Sequence, residues 1–73
     1  MFDRKALGHA IGRLRSGNHM SQEELSGLAG ISRSHLAMIE NGRKTARIDT
    51  LWHIAMALGM KLSALIRLIE ENR

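Results

Sequence analysis

The stretch Met20-Ser21-Gln22-Glu23-Glu24-Leu25-Ser26-Gly27-Leu28-Ala29-Gly30-Ile31-Ser32-Arg33-Ser34-His35-Leu36-Ala37-Met38-Ile39-Glu40-Asn41-Gly42 reads as two short helices with almost nothing between them. Ser21 and Glu24 have the spacing of a capping box, in which the hydroxyl accepts from the amide three residues on and the carboxylate reaches back. Met20 and Leu25 flank that start as a hydrophobic staple. Gly30 interrupts the first helix after Ala29, and Ser32 caps the next at once, with Ile31 paired to Leu36. The second helix runs to Asn41 and stops at Gly42, since glycine adopts the left-handed conformation that ends helices. Leu36 and Ile39 have core spacing, so Arg33, Ser34, Ala37 and Met38 share the outward face.

Outward from this pair the pattern stays helical. Asp3 caps a preceding helix whose inward positions are Leu7, Ala10, Ile11 and Leu14, ending near Gly17, with Phe2 and Leu7 as its staple. Gly8 and Gly12 on it read as weak packing tolerance. Residues 43–47, Arg-Lys-Thr-Ala-Arg, read as a basic loop with no apolar anchor. A fourth helix carries Ile48, Leu51, Ile54, Ala55 and Leu58 on one arc and stops at Gly59. Met60 opens a fifth, lined by Leu62, Leu65, Ile66 and Ile69. No stretch alternates with period two for long enough to make a strand. The fold class is all-α with five helices, in one domain over residues 1–73.

Composition narrows the function. A chain of 73 residues with no cysteine builds one small core and no disulfide or thiolate metal site. Such a core supplies only roughly 3–5 kcal/mol unaided, so a self-associated chain in a reducing compartment is expected. The longest apolar run, near Ile54 to Met60, is far short of the roughly 18 residues of a membrane span, and the N-terminus has no signal-peptide run. The expectation is a soluble, cytoplasmic protein with no membrane partner. His9, His19, His35 and His53 lack metal-ligand spacing, and Glu23 and Glu24 point in different directions on their helix. No metal, no cofactor and no catalytic residues are expected. The net charge of +4 falls entirely within residues 1–47, and residues 48–73 are neutral. A basic face opposite a neutral, apolar end suits a polyanion on one side and a protein on the other.

Two short helices on a tight glycine turn are the geometry of a helix-turn-helix, whose second helix protrudes into the DNA major groove. Here the sequence resembles the Cro-type, phage-repressor-like helix-turn-helix family (regulators of the xenobiotic-response-element type). The match is carried by Met20-Ser21-Gln22-Glu23-Glu24-Leu25, Ala29-Gly30-Ile31-Ser32, Ile39-Glu40-Asn41-Gly42 and Ile54-Ala55-Met56-Ala57-Leu58-Gly59. The resemblance implies a five-helix repressor-like DNA-binding domain, with the helix-turn-helix at about 21–42 and dimerisation helices at about 48–73. It places Ser32, Arg33, Ser34 and Met38 at base-facing positions, Gln22 at a phosphate while bracing the recognition helix, and Asn41, Arg43 and Lys44 along the DNA backbone. It pairs Arg15 with Glu40. Ser26, Leu28 and Arg47 depart from the family pattern, Arg47 standing where a capping Ser or Thr is common.

Residue chemistry points the same way. Arg33 has the reach for a bidentate pair with guanine, Ser34 donates or accepts, and Ala37 and Met38 suit a thymine methyl. His35 lies in the first turn of the recognition helix, within approach of a phosphate, and Arg47 completes the basic loop. Trp52 and Met56 lie off the core arc of the fourth helix, and Leu65, Leu68 and Ile69 extend the last one. These five read as a homodimer contact, in preference to Trp52 lying over the edge of the core. The expectation is a sequence-specific regulator binding double-stranded DNA, a homodimeric repressor or restriction-modification controller on a palindromic operator. The alternative is an antitoxin-like interaction module that neutralises a partner protein such as a toxin.

Overall fold

The computed structural model describes residues 3–71 and contains α1 (Arg4–Gly17), α2 (Gln22–Ala29), α3 (Arg33–Glu40), α4 (Ile48–Ala57) and α5 (Leu62–Glu71). Phe2, expected to staple α1, lies outside the described residues. The local signals act where the side chains stand. Asp3 Oδ1 accepts from the Lys5 amide at 2.9 Å and also from that of Ala6. Ser21 Oγ accepts from the Glu24 amide at 3.0 Å while Glu24 returns an oxygen to the Ser21 amide at 2.8 Å. Gly30, at φ +74°, turns the chain out of α2, and Ser32 Oγ accepts from the His35 amide at 3.0 Å to begin α3.

Every helix contributes fully buried aliphatics: Leu7 and Ile11, Leu25, Leu36 and Ile39, Leu51 and Ile54, Leu65 and Ile69. α1 packs on α3, α2 on α3 and α4, and α5 closes the core against α1 and α4. The chain turns through 102° between α4 and α5, and among the described residues no single helix is long and apolar enough to cross a membrane.

The structure corrects four readings. Ile48, placed on the core arc of α4, is 57% exposed. It stands in the i, i+4, i+8 row with Trp52 and Met56, while Leu51, Ile54, Ala55 and Leu58 turn inward. Residues 43–47 do have an apolar anchor, because Ala46 is small enough to tuck into the core. Gly8 is a close approach rather than loose packing: a Cβ there would collide with the carbonyl oxygens of Ile39 and Glu40, 2.5 Å from the latter. α1 therefore crosses the C-terminal end of α3 backbone to backbone. Finally, Leu65 and Ile69, assigned to a dimer contact, are 0% and 1% exposed. They lie on the side of α5 that faces the chain's own core, and only Leu68, at 38%, turns outward.

Candidate nucleic-acid interface

α3 is presented by burial of one side and clamping of one end. Leu36 and Ile39 hold it to the core, leaving Ser32, Arg33, Ser34 and Met38 exposed and His35 and Ala37 half-buried. The Ser32 hydroxyl accepts one bond as the cap and keeps its proton and a second lone pair free. At the other end, Glu40 gathers three helices. Arg15 of α1 donates from Nε to Glu40 Oε2 at 2.8 Å and from Nη2 to Oε1 at 3.0 Å, a bidentate pair. Gln22 Nε2, at the start of α2, donates to the same Oε1 at 3.1 Å. The remaining Arg15 Nη1 donates to the Met20 carbonyl at 2.8 Å, tying down the chain just before α2. Side-chain exposures of 19% for Arg15 and 10% for Glu40 place the pair well inside the surface. The hydrogen bond to Glu40 raises the Arg15 pKa above the usual arginine value; burial pulls against it, and the charge of Glu40 adds to the rise.

Beyond α3 the loop folds back on the helix it follows. The Arg43 and Lys44 amides both donate to the Met38 carbonyl, at 3.0 and 3.1 Å, and Asn41 Oδ1 accepts from the Arg43 amide at 3.1 Å. With Gly42 at φ +80°, this holds the exposed Arg43 and Lys44 beside the last turn of α3. Arg47 is exposed and occupies the N-cap of α4 with no side-chain cap bond.

On α4, Trp52 and Met56 are 53% and 62% exposed and Ile48 completes their row. Sequence reasoning missed Ile48 as a surface residue; the four-residue spacing to Trp52 and Met56 was the available signal. It also left unused Leu28, exposed at the end of α2, whose departure from the family pattern was the clue. Leu68 and Glu71 line a cleft with Ala10, Arg13 and Leu14 of α1.

A short helix braced across a second, which projects an arginine and small polar side chains beside a basic loop, defines a DNA-binding helix-turn-helix regulator. The Helix-turn-helix family model matches residues 11–65, and the chain belongs to that family. Over 69 residues it is 34% identical to the uncharacterized HTH-type transcriptional regulator y4dJ of Sinorhizobium fredii, covering 94% of this chain and 90% of that one. It is 37% identical to the ImmF control region 10 kDa protein of Bacillus phage phi105, covering 99% of this chain and 84% of the relative. Among solved structures it resembles the restriction-modification controller C.AhdI of Aeromonas hydrophila, with a TM-score of 0.83, 28% identity, and 86% and 96% of the two chains covered. The protein is a sequence-specific DNA-binding transcriptional regulator, in a family of regulators rather than enzymes.

Proposed function

We propose that two copies of this chain bind a two-fold symmetric operator and control transcription by occupying it, as a repressor or a restriction-modification controller. The observation that carries the reading is the contrast between two exposed rows, polar Arg33 and Ser34 with Met38 on α3 and apolar Ile48, Trp52 and Met56 on α4. The first reads bases, with Ser32 and Ala37 at its margin. Gln22, His35, Asn41, Arg43, Lys44 and Arg47 hold phosphates around it, Gln22 keeping one amide proton free beside its bond to Glu40. The second row packs against its copy, because a base-reading face of one short helix specifies only a few base pairs and needs a second half-site. The helix-turn-helix at 21–42 is the reading part and 48–73 the pairing part of a single domain, acting in the cytoplasm. Names of relatives that point to phage control regions and restriction-modification controllers support this reading.

Selection of bound duplexes from a random pool is the test. The expected product is an inverted repeat whose half-sites lie one helical turn, about 34 Å, apart. Arg33→Ala is expected to relax one G·C position and cost about 1–3 kcal/mol per half-site. Enrichment of a lone half-site would sink the symmetric assembly, and an unchanged consensus with Arg33→Ala would sink the assignment of α3.

A further inference from the structure

The first turn of α1, like that of α3 with its Arg33, carries cations where the helix dipole disfavours them. α2 opens with Glu23 and Glu24, and α4 has Asp49 in its first turn, as the positive end of a helix dipole favours. α1 has no acid there and opens instead with Arg4 and Lys5, both exposed. The free amides at that end are no anion site, because Asp3 already occupies those of Lys5 and Ala6. The two cations thus lie where they weaken their own helix, a placement that needs a reason elsewhere.

Tertiary structure supplies it. Gly42 of the α3–α4 loop lies against the first turn of α1: a Cβ on it would stand 3.4 Å from Lys5 Cγ and 3.8 Å from the Arg4 carbonyl oxygen. Arg4 reaches across and donates from Nη1 to the Arg43 carbonyl at 3.4 Å. Four exposed cations, Arg4, Lys5, Arg43 and Lys44, are therefore neighbours, with Asp3 the acid among them and already committed as a cap.

We propose that Arg4 and Lys5 form a second lip of the phosphate-holding surface, extending the track of Arg43 and Lys44 to further phosphates of the duplex backbone. The inference rests on the DNA-binding reading and deepens it. The lip carries charge without base-reading geometry, so it adds affinity and salt dependence and leaves sequence preference alone. Collecting like charges on one surface is unfavourable in the free protein, and a polyanion removes that repulsion on binding.

The test uses the full chain, the duplex selected from the random pool and the double variant Arg4→Gln, Lys5→Gln. The expected result is a log–log salt slope shallower by about 0.9 for each phosphate that a subunit no longer holds. The consensus stays the same, and one or two phosphates per half-site cease to interfere when ethylated. Melting temperature is expected to hold or rise, since cations leave the positive end of a helix. An unchanged slope and interference pattern, in an assay where Arg43→Gln with Lys44→Gln alters both, would overturn the lip and leave the DNA reading standing. A lower melting temperature with binding reduced only in proportion would overturn it too, making the Arg4 bond a structural strut. A parent chain that prefers no sequence would sink the DNA reading and the lip together.

Discussion

α3 and α4 bury comparable cores and expose surfaces of contrasting chemistry. Each turns two fully buried aliphatics inward, Leu36 with Ile39 and Leu51 with Ile54. Outward, α3 shows Arg33, Ser34 and Met38, whereas α4 shows Ile48, Trp52 and Met56. Their starts differ as well: Ser32 caps α3 through its side chain, and α4 begins at Arg47 with no such bond. The apolar row of α4 is thus surplus to the monomer's core, and the proposed pairing gives it a partner surface. The polar row of α3 is equally unneeded for folding and is clamped in place by Glu40, which in the proposed reading keeps its geometry toward DNA.

The sharpest way to break this comparison is to put a charge on each side of the apolar end. Ile69→Glu buries a carboxylate in the monomer core and is expected to remove most of the roughly 3–5 kcal/mol available to a core this small. Trp52→Glu changes the exposed row and is expected to leave a folded monomer without pairing or tight operator binding. Circular dichroism melting with sedimentation at micromolar concentration separates the two. A folded Ile69→Glu, or a Trp52→Glu that pairs normally, would erase the distinction between core and contact.

On the reading side, Gly8→Ala forces α1 away from the Ile39 and Glu40 carbonyls, an overpacking expected to cost about 1–3 kcal/mol. The displacement also strains the Arg15 bridge to Glu40, so operator affinity is expected to fall beyond the loss of folded protein. A melting temperature equal to the parent's would show that the crossing is looser than the structure has it.

The smallest effect sharpens the contrast in capping. Arg47→Ser gives α4 the side-chain cap it lacks, a gain of about 1 kcal/mol in stability. It also removes a cation from the proposed phosphate surface, so thermal stability is expected to rise while the salt slope becomes shallower. If both fall together, Arg47 supports the fold by a contact other than capping.

Much of this was legible in the residues themselves. The capping box at Ser21, the cap at Ser32, the glycine stop at Gly30 and the outward face of α3 are decided by neighbours three or four positions away. The charge imbalance of residues 1–47 is likewise a property of the chain. Periodicity failed where two apolar rows share one helix. In α4 both Ile48 and Leu51 fit a helical repeat, and in α5 Leu65, Leu68 and Ile69 all do. A 3.6-residue period marks an apolar stripe and leaves open which edge of it meets the core.

Sequence alone thus determined five helices, the caps of the first three and the helix-turn-helix, because those are local hydrogen-bonding and spacing effects within a few residues. Tertiary structure decided that Leu65 and Ile69 belong to the core and Ile48 to the surface, that Gly8 meets the end of α3, and that Arg4 lies beside Arg43. It also decided that Gln22 and Arg15 converge on one carboxylate. Each of these depends on which helix lies opposite, and that is settled only when five amphipathic stripes find the one packing that closes a common core.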